Sequence, residues 1–283
     1  NVLAYSSTYI SFLDKLGEIN KIKGVTFSQG ISNKTIKERL KSKKTVDVGS
    51  DQDPDKEMIV TLNPDLALIY PSNGNHDWFG TFDIPTITNV EYLEKHPLAQ
   101  AEWIKLYGIL FDKVEESNRI FEDIKTQYLA ISEKANSHTS RPIVLCGELY
   151  NDVWTLPGGK STTAQLINDA GGDYFYKQDT TSGSKKLDFE YILTREKDLD
   201  FWLLLTYSQN PITFNSIKKN VPRYSYLSVF SPDKMGICNT ATSPYFETGV
   251  MEPHKLLLEI YKLIYGINLE QHEGIYFKKL KYS

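Results

Sequence analysis

Residues 157–162 read Pro-Gly-Gly-Lys-Ser-Thr, the closing half of a phosphate-binding loop, set between a strand-like run and a helical one. The complete loop needs another Gly five positions before its second Gly, so that backbone N–H groups can wrap a polyphosphate. Trp154 holds that position. An indole there is incompatible with the wrap, so the string does not read as a nucleotide site. It reads as a turn into a helix N-terminus, with Trp154 expected at the rim of whatever cleft the turn faces, or more plainly as a turn beside a half-buried Trp. The five His (His76, His96, His138, His254 and His272) never pair at i, i+3 or i+4, so no metal cage is written locally. There is no Gly-x-Ser-x-Gly elbow, and Cys146 has no His beside it. Nothing points to a pair of glycosidase carboxylates.

A richer signal lies where apolar runs end. Ligands of open α/β sheets sit beyond the carboxyl ends of the strands. Those positions read Tyr5-Ser6-Ser7-Thr8, Tyr70-Pro71-Ser72-Asn73, Glu148-Leu149-Tyr150-Asn151, Thr206-Tyr207-Ser208-Gln209 and Asn239-Thr240. Tyr beside small polar residues suits a flat or ring-bearing ligand held by aromatic faces and a few hydrogen bonds. The plainer alternative is that these Tyr cap strand ends at the surface. A second pattern repeats. Glu57 precedes Asp65-Leu66 and an apolar run by eight residues, and Glu190 precedes Asp198-Leu199 and an apolar run by the same interval.

The elements that position these residues alternate. VLAY (2–5), IKGVTF (22–27) and LALIY (66–70) read as strands, with a helix after Ser7-Thr8. Residues 96–136 carry apolar positions at helical spacing, and Gly108 and Asp112-Lys113 are expected to divide them. The second half, 113–138, predicts one long, charged helix able to join two domains. Beyond it, IVLCGEL and DFWLLL (200–205) read as strands. STTAQLIN (161–168), LDFEYIL (187–193) and the amphipathic 252–266 read as helices, and the basic tail IYFKKLKY is strand-like. The pattern predicts an α/β protein of two lobes, 1–112 and 139–283, on one linking helix. The tail 267–283 stays with the second lobe or returns to the first.

Composition narrows the functional classes. The chain has 283 residues, enough for about two domains. A net charge of −4 argues against nucleic-acid binding by bulk charge. No apolar run approaches the roughly 18 residues that span a bilayer. Two Cys cannot build a Cys-based zinc site, and they read as buried thiols, with a bridge as the alternative. Asn1 leads at once into VLAY, so the chain reads as mature or trimmed of its targeting segment.

Taken in order along the chain, several segments resemble a known family. They are the Glu57…NPDLALIY unit, HPLAQAEWIKLYGILF (96–111), WTLPGGKSTTAQLINDAGGDYFY (154–176), the Glu190 unit and NTATSPYFETGVMEPHKLLLEIYKLI (239–264). The chain resembles a periplasmic substrate-binding protein of an ABC importer, of the ferric siderophore, haem and cobalamin class, in a Bacteroidetes-type version. The resemblance implies the class III fold, two Rossmann-like lobes joined by one long α-helix. It implies a monomer with no catalytic activity and no cofactor, exported to the periplasm and lipid-anchored in some relatives. The implied partners are an iron-chelate or corrinoid ligand and an ABC permease dimer. Glu57 and Glu190 fall at the positions that pair with permease Arg. The implied ligand residues are Tyr5, Ser6, Tyr70, Trp154, Tyr207, Arg223, Asn239, Tyr245 and Glu247.

Arg is scarce, at Arg39, Arg119, Arg141, Arg195 and Arg223. A strongly anionic complex would call for more guanidinium groups in the cleft. The expected ligand is therefore a neutral ferric hydroxamate, with cobalamin as the close alternative. Haem would need an axial Tyr or His. From another class, an α/β enzyme with an interlobe active site, such as a metal-dependent lyase or a cluster protein, stays open. Cluster ligation disfavours itself with only two Cys.

Overall fold

The structure is a computed structural model that describes residues 1–71, 77–267 and 274–282. Ser72, Asn73, His76 and His272 lie outside the described residues. Contacts divide the chain into two compact units. The first is Asn1–Leu93, Gln100–Glu122 and Phe246–Met251; the second is Glu94–Ala99, Asp123–Tyr245 and Glu252–Ser283. The boundaries thus differ from 112 and 139 by two excursions, 94–99 and 246–251, and by a division inside the long helix.

The first unit runs β1 (Val2–Ala4), α1 (Ser7–Lys15), β2 (Ile22–Val25), α2 (Lys34–Lys41), β3 (Val46–Asp47), α3 (Lys56–Leu62), β4 (Leu66–Ile69), α4 (Trp78–Thr81) and β5 (Thr86–Thr88). The strands form one parallel sheet in the order β3-β2-β1-β4-β5. β1 and most of β4 are buried, which is why they read as unbroken apolar runs rather than alternating ones. Three helices start on side-chain caps: Ser6, Asn33 and Asp55 accept from the N–H of Thr8, Ile36 and Met58.

Three helices follow, α5 (Pro97–Glu102), α6 (Ile104–Leu110) and α7 (Val114–Asn136). Asp112 breaks the helix as expected of its position, with φ 55°. Gly108 does not; it lies inside α6. Its missing side chain makes room for Ser117, since a Cβ there would stand 2.1 Å from Ser117 Oγ. The 23 residues of α7 extend about 34 Å at 1.5 Å each.

The second unit holds β6 (Ile143–Cys146), β7 (Glu148–Tyr150), β8 (Val153–Pro157), α8 (Thr162–Asp169), β9 (Asp173–Tyr174), β10 (Ser184–Asp188), α9 (Phe189–Leu193), β11 (Phe201–Thr206), α10 (Phe214–Asn220), β12 (Met235–Asn239), α12 (Pro253–Ile264) and β13 (Lys278–Lys279). The short α11 (Tyr245–Thr248) opens the 246–251 excursion. The order β9-β6-β11-β12 is parallel throughout and repeats β2-β1-β4-β5 of the first unit. The sequence repeat has the same origin: α3 precedes β4 as α9 precedes β11, with Glu57 and Glu190 in the first turns of the two helices.

One feature departs from the sequence reading, and two alternatives it left open are closed. Leu187 and Asp188 end a strand rather than start a helix, because β10 pairs antiparallel with β8 in a small sheet β10-β8-β7. The tail does not return to the first unit: β13 pairs antiparallel with β12. The buried Glu259 of α12 fastens it, accepting from the N–H of Ile275 at 2.7 Å, Tyr276 at 3.0 Å and Phe277 at 2.8 Å. Cys146 and Cys238 are buried free thiols. They stand on β6 and β12 with β11 between. Two strand spacings, about 9.5 Å, exceed the roughly 7 Å that a disulfide spans between Cα atoms.

Candidate functional site

In the first unit the chain leaves β1 toward β2 on one side and later crosses to β4 on the other. The two loops part at the carboxyl ends of β1 and β4, which is where an open sheet makes a crevice. A cavity of about 450 Å³ opens there, lined by Tyr5 to Tyr9, Thr26, Phe27, Gly30, Tyr70, Pro71, Glu91 and Tyr92. β1 delivers Tyr5, β2 delivers Thr26 and Phe27, and β4 delivers Tyr70. Ser6 caps α1 and so turns the first residues of that helix, Ser7 and Thr8, to the cavity.

A buried frame holds these residues. The Tyr9 hydroxyl donates to the carbonyls of Ile69 at 3.3 Å and Asn89 at 3.2 Å. Asn89 is fully buried; its amide donates to the Tyr107 hydroxyl at 2.8 Å and its Oδ1 accepts from the Glu91 N–H at 3.0 Å. Thr26 Oγ1 donates to the Tyr5 carbonyl at 2.9 Å, tying β2 to β1. The Tyr70 hydroxyl donates to the buried Asp51 carboxylate. Tyr5 meets Phe79 edge-on at 5.9 Å. At the rim Phe27 is 57 % exposed and sits at φ 51°, a left-handed conformation unusual for a bulky residue. Local strain of that kind persists where surroundings over-determine it, often at ligand sites.

The electrostatics favour uncharged groups. Burial first, then Asp51, pushes the Tyr5 and Tyr70 phenols far above their ordinary range. Burial and then Glu91 does the same to Tyr9. Glu91 is 5 % exposed, and burial raises its carboxyl to about 7 against the weaker opposing pull of its own N–H and that of Tyr92. Among the described residues, none that lines the cavity is Lys, Arg or His. Among the described residues no group of three His, Cys, Asp or Glu is gathered to hold a metal ion.

Of the sequence candidates, the cavity brings together Tyr5, Ser6 and Tyr70. Trp154 is a correction. It is 0 % exposed in the core of the second unit, its indole N–H donates to the Cys146 carbonyl at 3.0 Å, and it lies against Phe189, Trp202 and Tyr224. Its place in the middle of β8, paired with both β7 and β10, encloses it. The turn behind it is closed too: Gly158 and Lys160 donate to Gly183 and Thr181, and Gly159 donates to Asp179 Oδ2. Those N–H groups are spent inside the fold.

Arg223 sits in an ion-pair cluster of the second unit. It is paired with Asp152 and, at 2.8 Å, with Glu190, and stacks over Phe189, so it lines neither described cavity. Glu247 is buried and accepts from the Ser32 N–H at 2.6 Å, which anchors 246–251 within the first unit. Asn239 clamps the end of β12, exchanging two hydrogen bonds with the Ser208 backbone, and lines a separate cavity of about 1140 Å³ beside the tail. Tyr245 packs edge-on against Tyr276 and Phe277. Tyr207 is 66 % exposed at the end of β11, the counterpart of Tyr70 after β4. Glu57 and Glu190 are both exposed.

Sequence reading missed Tyr9, Thr26, Phe27, Glu91 and Tyr92. Thr26 and Phe27 had a signal, since they end the strand-like run IKGVTF. Tyr9 stands four residues after Tyr5, one helical turn away. Glu91 and Tyr92 lie in a polar stretch with no periodicity to mark them.

The sequence model described as periplasmic binding protein matches residues 2–219. The chain belongs to the periplasmic binding protein family. An uncharacterized lipoprotein of Methanocaldococcus jannaschii is 25% identical over all of this chain and 68% of its own length. The periplasmic heme-binding protein HutB of Vibrio cholerae superposes with a TM-score of 0.73 at 14% identity, covering 93% of this chain and 98% of that one. An ABC-type Fe3+-hydroxamate transport protein of Saccharomonospora viridis superposes at 0.70 with 16% identity, covering 93% and 92%. At such identities these structures establish the fold, which is the class III periplasmic binding fold. Among the described residues no helix is long and apolar enough to cross a membrane.

Proposed function

We propose that the protein captures a ferric chelate without net negative charge, of the neutral hydroxamate kind, and hands it to an ABC permease without performing any reaction on it. The observation that carries this reading is the first-unit cavity. It is walled by Tyr5, Tyr9, Tyr70 and Tyr92, backed by the acids Asp51 and Glu91, and lined by no cationic side chain among the described residues. Phenol faces and hydroxyls hold a ring-bearing or amide-rich ligand through contact area and neutral hydrogen bonds. An anionic ligand would meet two carboxyl groups and nothing to balance its charge.

Glu57 and Glu190 are the proposed docking points for Arg residues of the permease. Each is exposed in the first turn of a short helix that leads into a central strand, α3 into β4 and α9 into β11. Arg223 already holds Glu190, so docking there exchanges one guanidinium for another. Export to the periplasm, with or without a lipid anchor, belongs to the same reading.

The test is co-elution on gel filtration, read by absorbance, of ferrichrome (a ferric trihydroxamate of no net charge), a ferric tricatecholate, haemin and cyanocobalamin. Ferrichrome is expected to co-elute and the tricatecholate is not. Retention of the tricatecholate alone contradicts the charge argument. Retention of cyanocobalamin alone moves the ligand to the corrinoid class. Turnover of a small ester or sugar, with none retained, returns the fold to an enzyme.

A further inference from the structure

Among the described residues that line the first-unit cavity, Glu91 is the one whose charge changes near neutrality, and its geometry is unusual. Its side chain is nine-tenths buried, and Oε2 is sealed from solvent with no hydrogen-bond partner among the described residues. A buried carboxylate oxygen without a partner is costly, whereas a carboxylic acid there keeps an O–H donor ready for an acceptor. Among the described residues, the titratable groups around it are acids or phenols. Tyr9 faces it from α1, Tyr107 from α6 and Tyr92 from its own turn, with Tyr70 and its partner Asp51 beyond β4. Among the described residues, no Lys, Arg or His lines the cavity to hold the anion.

We propose that ligand capture in this cavity is coupled to a proton: Glu91 binds as a neutral acid, its carboxyl group turning to the cavity to donate its O–H to a carbonyl or hydroxamate oxygen of the ligand. The proposal rests on the cavity's being the ligand site and adds which side chain recognises the ligand and in which protonation state. The neighbours support it, because burial keeps the Tyr9, Tyr70 and Tyr107 phenols protonated and Asp51 is already occupied by the Tyr70 hydroxyl. Burial that raises the free carboxyl to about 7 puts the transition in the physiological range. A ligand that covers the cavity desolvates Glu91 further, so the complex keeps the proton at higher pH than the free protein. Affinity then falls as pH rises, and release of the ligand into a more alkaline medium is favoured.

The experiment measures the ferrichrome dissociation constant by equilibrium dialysis at pH 6 and pH 8, on the whole chain and on Glu91→Gln. Ferrichrome itself carries no titrating group in that range. For a free carboxyl near 7, wild type is expected to bind roughly tenfold more weakly at pH 8 than at pH 6. Glu91→Gln keeps the shape and an N–H donor but cannot ionise. It is expected to bind equally at both pH values, near the wild-type strength at pH 6. Glu91→Leu, with no donor, is expected to bind weakly at both. Equal wild-type affinity at the two pH values overturns the proposal and leaves the ligand class standing, as does a pH dependence that survives in Glu91→Gln. Absence of ferrichrome binding at either pH overturns the proposal and the ligand class together.

Discussion

Trp154→Phe separates a core role from a ligand role. The indole is wholly enclosed, its N–H donates to the Cys146 carbonyl, and Phe189, Trp202 and Tyr224 surround it with ring centroids 6.0, 5.3 and 5.9 Å away. Replacing it by Phe removes about 40 Å³, worth about 1 kcal/mol as an unfilled cavity at roughly 24 cal/mol per Å³. The lost hydrogen bond adds about 1 kcal/mol. Weakened aromatic contacts add about 0.5 kcal/mol. The sum is about 2–3 kcal/mol of stability, with no change in ligand binding. The assay is urea unfolding followed by far-ultraviolet circular dichroism, together with ferrichrome dialysis. A markedly lower unfolding midpoint with a dissociation constant within twofold of wild type is expected. An unchanged midpoint with a large loss of affinity would refute the burial argument and put the indole against the ligand.

Three other outcomes follow from named contacts. Glu259→Ala strands the N–H groups of Ile275, Tyr276 and Phe277, at about 1 kcal/mol or more each, so it should cost about 3 kcal/mol or more, with faster amide exchange at those three residues as the check. Glu57→Ala combined with Glu190→Ala should leave ferrichrome affinity unchanged and impair uptake by a reconstituted importer; lost affinity would mean that these residues serve the fold or the cavity. Glu91 should also show in stability without any ligand. Its folded carboxyl lies near 7 against an ordinary 4.5, so the native state holds the extra proton between those values and stability falls as pH rises through them. Glu91→Gln should therefore be more stable than wild type by up to about 3 kcal/mol at pH 8 and about equal to it near pH 4.5. A difference that is the same at both pH values would contradict the burial account.

How legible these features are in the sequence depends on what each residue is buried against. β1, β4, β6 and β11 announce themselves because parallel strands covered on both faces need continuous apolar runs. The cavity-lining Tyr5 and Tyr70 are legible for a related reason: they are the first polar-edged residues after such runs. The small sheet β10-β8-β7 is not legible. Ser184–Asp188 alternates exposed and half-buried positions with two Lys among them, so no apolar run marks it. Trp154 was therefore free to be assigned to a turn. Arg223 looks like an anion-binding residue by type, but its partner is chosen by the tertiary contact with Asp152 and Glu190. Glu91 owes its character to burial beside Tyr9 of α1 and Tyr107 of α6, both far from it in sequence. A carboxyl's surroundings cannot be read from its neighbours in sequence.

The central claim is that the Tyr-walled cavity at the carboxyl ends of β1 and β4 holds an iron chelate. The most direct measurement is iron anomalous diffraction from crystals grown with ferrichrome. The account predicts an iron peak with the chelate in contact with Tyr5, Tyr70 and Glu91. A peak in the cavity beside Asn239 and the tail, with the Tyr-walled cavity empty, would contradict it.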